Sequence, residues 1–243
     1  MRLLLVIPAF NEQASLGGLL TEIKALPPIA GVTIDAVVVD DGSSDRTQEV
    51  ARANGARVLR LCRNLGIGGA VQAGIQLAHR EGFDAAVQMD GDGQHPPSEL
   101  HRLLDAKGPD LVVGTRYAGG AGFQSTLLRR LGSAWLRGIL RMVGVKVSDP
   151  TSGFRLYGPR ALRLFADSYP YDFPEPESLA MTRAAGLTVS EVSVAMRERQ
   201  GGQSSISGYT SIYYMFKVTL AVVLAYLRTN RRPRDVEVPD ATG

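Results

Sequence analysis

Cysteine, histidine and tryptophan are scarce in this chain of 243 residues, which has one cysteine, three histidines and one tryptophan. A lone cysteine, Cys62, excludes any disulfide within the chain and fits a reducing compartment. It has no evident histidine partner, and no serine stands in a nucleophile elbow, so covalent hydrolase chemistry has no foothold. The three histidines, His79, His95 and His101, do not sit at metal-binding spacing; His79 and His101 are expected at the surface, and His95 beside a pair of acids. The opening apolar run, MRLLLVIP, is too short for a signal peptide and lacks a small-residue cleavage site, so it is expected to be the first strand. A membrane-spanning helix needs about 20 apolar residues, and no such run occurs. The net charge is only +3, much of it in Arg228, Arg231, Arg232 and Arg234. A basic stripe along the body is missing, which argues against a nucleic-acid partner. Internal repeats and low-complexity tracts are missing too.

What the chain does contain is 44% hydrophobic residues, enough for one large core. Short runs rich in valine and isoleucine, at 3–8, 34–39, 57–61, 85–89 and 111–114, predict strands. Helical patterns alternate with them at 15–25, 46–54, 68–80 and 98–104. Apolar strands alternating with helices predict an α/β fold, a mostly parallel Rossmann-like sheet with helices on both faces. Such sheets bind ligands at the carboxyl ends of their strands. The polar clusters fall there: PAFNE at 8–12, DDGSSD at 40–45, DGD at 90–92 and TRY at 115–117. Beyond residue 118 the spacing changes. A helical pattern over 125–143 carries Arg129, Arg130, Arg137 and Arg141. The segment DPTSGFR at 149–155, a proline-rich stretch at 170–176, a helix near 177–185 and an alternating strand at 188–196 follow.

Asp90 and Asp92 flank Gly91. Two carboxylates so spaced can face one ion if the backbone turns sharply, and glycine permits the turn. Mg²⁺ prefers a few carboxylates plus substrate phosphates to a full protein cage, and Gln94 could add a neutral oxygen. A solvated turn is the bland alternative. A Ca²⁺ loop fails on spacing, since His95 and His101 occupy the positions that need glycine and glutamate. Asp40 and Asp41 suit ribose hydroxyls or a base edge, or an N-cap and turn before the next helix, with Ser44 or Asp45 as caps. Residues 66–69, GIGG, lack the last glycine of a dinucleotide fingerprint and predict a glycine-rich turn into a helix.

Taken together, the words IPAFNE (7–12), VVDDGSSDRT (38–47), NLGIGGA (64–70), DGDGQHPP (90–97), GTRY (114–117) and DPTSGFR (149–155) resemble the inverting family 2 glycosyltransferases of GT-A fold. The resemblance is to the dolichyl-phosphate mannose synthase-like, polyprenyl-phosphate branch, and it covers roughly residues 3 to 205 in the family's order. It implies Mg²⁺ or Mn²⁺ held by Asp90, Asp92 and Gln94 on a nucleotide-sugar diphosphate. It implies a nucleoside pocket lined by Pro8, Phe10, Glu12 and Asp41, with Asp90 beside it. Arg116, Arg129 and Ser133 match phosphate-binding positions, and RQGGQS (199–204) supplies Arg199 and Ser204. The basic residue that usually follows is here Ser205, and FPEPE (173–177) also departs from that branch. Asp92 and Arg116 are thus expected to be catalytic, with Glu177 near the acceptor. The implied donor is a UDP- or GDP-sugar and the implied acceptor a lipid phosphate. A hydroxyl acceptor, with Glu175 or Glu177 as base, and a binding protein without turnover stand as alternatives.

Residues 1–207 are expected to form the catalytic domain, 208–230 an apolar helix and 231–243 a disordered tail. Residues 212–227 are apolar apart from Lys217 and Thr219. Tyr209, Tyr213, Tyr214 and Tyr226 suit a membrane interface, and the arginines beyond Leu227 suit anionic head groups. A second subunit would use the same apolar helix. The expectation is a cytoplasmic protein, peripheral on the cytoplasmic face of a membrane, with a homo-oligomer as the alternative use of the helix.

Overall fold

The computed structural model describes residues 1–106, 108–116, 127–197 and 211–230, and of 127–131 and 211–214 the backbone alone. The elements run β1 (Arg2–Ala9), α1 (Leu16–Lys24), β2 (Thr33–Asp40), α2 (Thr47–Ala53), β3 (Arg57–Arg60), α3 (Gly66–Arg80) and β4 (Ala85–Gln88). A 3-10 turn (Pro97–Glu99), α4 (Leu100–Asp105), β5 (Leu111–Thr115), α5 (Leu127–Met142), β6 (Arg155–Tyr157), α6 (Pro159–Asp167), α7 (Pro174–Ala184), β7 (Val189–Ser193) and α8 (Ser211–Asn230) follow. Among the described residues, seven strands form one sheet in the order β3-β2-β1-β4-β6-β5-β7. β6 is antiparallel to both neighbours, and every other pairing is parallel.

β1 lies deep in the sheet, with Leu5 opposite Ala36 of β2 and Val87 of β4. Its side chains alternate between two apolar layers, as the strand period requires. Leu4 and Val6 join Val71 and Ile75 of α3, Leu140 of α5, Phe165 of α6, Leu179 of α7 and Val222 of α8. Leu3, Leu5 and Ile7 join Leu16 and Leu20 of α1, Ala51 of α2 and Leu103 of α4. Both faces are therefore covered, which is why the central strands are apolar throughout.

Four elements, α3, β6, α6 and α7, differ from the sequence expectation. Residues 66–69 are the first turn of α3 itself. Gly68 and Gly74 serve close approach: a Cβ on Gly74 would lie 2.2 Å from Val6 Cγ1, and one on Gly68 would lie 2.5 Å from the Pro170 carbonyl oxygen. β6 and α6 were not expected. α7 starts at Pro174, ahead of the predicted 177, because proline is tolerated in a first turn whose N–H groups have no helical partner.

Candidate active site

The carboxyl ends of β1, β2, β4 and β5 and the amino end of β6 open on one edge of the sheet. After β1, Phe10 leaves its ring 47% exposed, whereas Pro8 is buried at the strand's end. Asn11 adopts φ 56°, a left-handed conformation. Its side-chain oxygen accepts the Ser44 N–H at 2.9 Å, which binds the first loop to the second. Glu12 is buried: its N–H donates to Thr47 Oγ1 at 2.8 Å, and Ser15 Oγ lies 2.7 Å from its carboxylate and 3.0 Å from the Gly91 carbonyl oxygen. Ser15 thereby ties Glu12 to the DGD loop.

Asp40 and Asp41 are both buried at the end of β2. Asp40 Oδ1 accepts the Ser43 N–H at 2.9 Å, and Arg60 Nε stands 3.6 Å from Oδ2, which takes no hydrogen bond. Asp41 Oδ1 accepts the Leu65 N–H at 2.7 Å, so it also anchors the start of α3. Burial raises its carboxyl above the ordinary range, and the Leu65 and Gly66 N–H groups oppose that shift. Asp45 accepts the N–H of Thr47, the first residue of α2, at 2.9 Å.

Asp90 and Asp92 stand on the turn after β4. A Cβ on Gly91 would meet the Pro8 carbonyl oxygen at 3.1 Å, and Gly93 takes φ 78°. Gly93 thus takes a backbone conformation that favours glycine, and Gly91 fits closely against the end of β1. Asp92 is buried and its Oδ1 accepts the Gln94 N–H at 3.0 Å. The Asp90 N–H donates to His95 Nδ1 at 3.0 Å, and the His95 ring stacks on Phe154 with centroids 5.1 Å apart. Because Nδ1 accepts that hydrogen, its 3.8 Å approach to Asp90 Oδ2 is not an ion pair. Among the described residues the Asp90 carboxylate receives only a long contact from Gln88 Nε2, at 3.5 Å. Opposite it Gly153 leaves a gap, since a Cβ there would lie 3.0 Å from Oδ2. Among the described residues no group of three or more His, Cys, Asp or Glu could hold a metal. Two hard carboxylates on one turn, with space beside Asp90, suit a divalent cation that takes its other ligands from phosphates.

Arg116, one residue beyond β5, forms a two-pronged pair with buried Asp149, Nε to Oδ2 at 2.9 Å and Nη2 to Oδ1 at 3.3 Å. Asp149 is held in turn. The Glu191 carboxylate on β7 accepts the Ser148 N–H at 2.7 Å, the Ser148 hydroxyl at 2.9 Å and the Asp149 N–H at 3.0 Å. Arg137 donates to Ser133 Oγ at 3.0 Å and approaches the Ser148 carbonyl oxygen at 3.4 Å. Arg116 and Ser133 thus belong to one braced network. The side chain of Arg129 and the whole of Arg199 and Ser204 lie outside the described residues.

Beneath the turn, Arg155 at the start of β6 is 0% exposed. It donates to the carbonyl oxygens of Ser152 (2.7 Å), Glu175 (2.8 Å) and Pro150 (3.1 Å) and to Ser178 Oγ (2.7 Å). Glu175, in the first turn of α7, has its carboxyl raised by burial. Arg155 lowers it, as does its own N–H, and Asp90 raises it further. Glu177 is turned away: its carboxylate accepts the Phe173 N–H at 2.9 Å and closes the N-terminus of α7. Of these two acids, Glu175 therefore interacts electrostatically with Asp90. Sequence reasoning missed the bracing roles of Asp149, Glu191 and Arg155. The run FRLY between Gly153 and Gly158 was the available signal for the last.

A mostly parallel sheet with one reversed strand and its polar loops gathered at the carboxyl edge is the architecture of the GT-A fold. Residues 4–165 match the model of Glycosyl transferase family 2, and the chain belongs to that family. It is 35% identical over 237 residues to a polyprenol monophosphomannose synthase of Mycolicibacterium smegmatis, covering 89% of this chain and 85% of that one. It is 33% identical over 220 residues to an undecaprenyl-phosphate mannosyltransferase of Micrococcus luteus, covering 86% and 88%. Among solved structures it is similar to glucosyl-3-phosphoglycerate synthase from Mycobacterium tuberculosis in complex with Mn²⁺, UDP and phosphoglyceric acid. That likeness has a TM-score of 0.66 at 21% identity and covers 96% of this chain and 80% of the other.

Proposed function

We propose that this glycosyltransferase moves a sugar, with inversion, from a nucleotide-sugar to the phosphate of a polyprenyl-type lipid at the cytoplasmic surface of a membrane. The observation that carries the reading is the Arg116–Asp149 pair. It fixes a guanidinium, with a quarter of its side chain still exposed, on the edge that carries Asp90 and Asp92. A planar guanidinium suits phosphate. The names of the mycobacterial and micrococcal relatives support the acceptor class. The tuberculosis enzyme's Mn²⁺ and UDP support the donor class.

In this reading Phe10 offers its ring to the base, and Asp41 lines the nucleoside end. Pro8 and Glu12 shape the same wall from beneath. Asp90 and Asp92, with Gln94, would hold Mg²⁺ or Mn²⁺, which neutralises charge on a departing diphosphate. An acceptor phosphate monoester, with a second pKa of about 6, is already largely ionised at neutral pH. Its oxygen forms the new bond at the anomeric carbon as the bond to the diphosphate breaks, and no proton has to be removed. Arg116, with Arg129, Ser133, Arg199 and Ser204, would orient that phosphate.

The test is nucleotide release from a panel of UDP- and GDP-sugars, with and without polyprenyl phosphate. Release that depends on the lipid phosphate and on the metal supports the reading, and Asp92→Asn should abolish it with the fold intact. Full wild-type activity in excess chelator, or in Asp92→Asn, would overturn the metal role. One observation favours a second reading, a hydroxyl acceptor: Glu175 has a carboxyl raised by burial and, further, by the charge of Asp90, in the direction a general base needs. Glu175→Gln separates the two. It should leave turnover on polyprenyl phosphate within a fewfold of wild type, whereas a hydroxyl acceptor would lose its base.

A further inference from the structure

The helices on one side of the molecule leave an apolar surface uncovered. α8 buries Val218 and Val222 against the core. On its outer side Phe216, Leu220, Val223, Leu224 and Leu227 are all exposed, Phe216 by 66%. Their spacing of three and four residues puts them in a single stripe along the helix. A stripe of that kind ordinarily faces a core, and here the core occupies the opposite side. α5 packs against α8 and extends the surface. Trp135 is 53% exposed while its indole N–H donates to Thr219 Oγ1 of α8 at 3.0 Å. Its ring is thereby fixed outward, with its polar end already satisfied.

On α5 and α8 the charge is of one sign. Lys217 and Arg228 are exposed on α8, as is Arg141 on α5, and neither helix carries an acidic residue. The acid near Arg228, Glu177, directs its carboxylate to the Phe173 N–H. No described helix is long and apolar enough to cross a membrane. A stripe of aliphatic and aromatic side chains beside cations, on a helix that cannot span, has the chemistry of an element lying in the plane of a bilayer. A second copy of the chain fits less well, because joining two such faces gathers cations without a counter-charge.

We infer that the outer face of α8, extended by Trp135 of α5, seats the enzyme on an anionic lipid surface. Phe216, Leu220 and Leu224 enter the acyl boundary, and Lys217 and Arg228 meet the head groups. The inference deepens the lipid-phosphate reading by assigning the surface on which the acceptor is met. α8 packs on α7, whose first turn carries Glu175. It does not depend on that reading for its test.

The experiment is vesicle flotation of the full chain, without donor or acceptor, on phosphatidylcholine alone and on phosphatidylcholine with phosphatidylglycerol. Wild type should float with the anionic vesicles. Leu220→Asp with Leu224→Asp should weaken binding by about 100-fold or more, since each buried aliphatic side chain is worth at least about tenfold. Lys217→Glu with Arg228→Glu should lose roughly tenfold or more on anionic vesicles and little on neutral ones. Both variants should keep the wild-type thermal shift with nucleotide and metal, which shows that they fold. They should also keep wild-type turnover on a short-chain, water-soluble polyprenyl phosphate. Flotation of Leu220→Asp/Leu224→Asp equal to wild type would overturn the inference. So would a wild-type chain that ignores vesicles and is a dimer which that variant dissociates. Failure of turnover on the soluble acceptor would overturn the lipid-phosphate reading and leave the seating face standing.

Discussion

Arg155 sits inside the sheet, and its four hydrogen bonds go to three carbonyl oxygens and one hydroxyl. Those acceptors belong to Pro150, Ser152, Glu175 and Ser178, so a single guanidinium joins the 149–153 loop to the first turn of α7. Lysine could reach only part of this fan. Arg155→Lys is expected to cost about 1–3 kcal/mol, because buried acceptors lose their donors. Chemical denaturation followed by tryptophan fluorescence would measure it. Glu175 beside it gives a pH signature. Its folded carboxyl is raised, so the folded state holds the proton more tightly than the unfolded state. Stability from this group is complete at low pH and is lost as pH rises from the ordinary carboxylate range through the raised value. Glu175→Gln removes that loss. The melting temperature of the variant relative to wild type should therefore be higher at pH 7 than at pH 4; a difference unchanged with pH would contradict the assignment. Tyr157, raised to about 12 by burial, stays neutral throughout this range and keeps its hydrogen bond to Gln88 Oε1 at 3.0 Å.

Among the elements, α3 shows packing overriding propensity. Gly74 costs the helix about 1 kcal/mol relative to alanine, yet a Cβ there would stand 2.2 Å from Val6 Cγ1 of β1. Gly74→Ala should destabilise by roughly 1–3 kcal/mol despite the better helix former, because β1 is clamped on both sides. A stabilised variant would show that α3 has room to move. Periodicity made most elements legible, since β1, β2, α1 and α3 are long enough to show an alternating or helical pattern. β6 was hidden because three residues, RLY, give no period, and because an arginine at its start argues for a surface position. α6 did carry a signal, Gly158 then Pro159 and apolar side chains at 161, 162 and 165, which went unused. In the site, acids in glycine-bounded loops were readable because their spacing is local. The links from Arg116 to Asp149 and from Asp149 to Glu191 were not, because they join positions 33 and 42 residues apart through the fold.

Across the whole molecule the site divides along the chain. The loops at 8–12, 40–45 and 90–95 follow β1 and its two neighbours, β2 and β4, whereas Arg116, Asp149 and Glu175 come from segments built around β5, β6 and β7. On the proposed reading the first half grips the donor and the second presents the acceptor. UDP or GDP with Mg²⁺ should then raise the melting temperature, and Asp41→Ala should lose most of that rise, read by differential scanning fluorimetry. NAD acting alone would contradict the nucleotide-sugar reading. Arg116→Ala should keep the nucleotide shift while raising KM for the lipid phosphate at least about tenfold, as loss of a charge-assisted phosphate contact requires.

The reversed strand β6 also matters while the chain is still being made. β2, β3 and β4 can each pair as soon as they leave the ribosome, because β1 or β2, their neighbour, is already synthesised. β5 cannot, because both its neighbours, β6 and β7, are encoded later. For the interval between residues 115 and 155 the nascent protein carries a completed N-terminal sheet and one apolar strand with two open edges. A translational pause in that interval would prolong the exposure of both edges of β5.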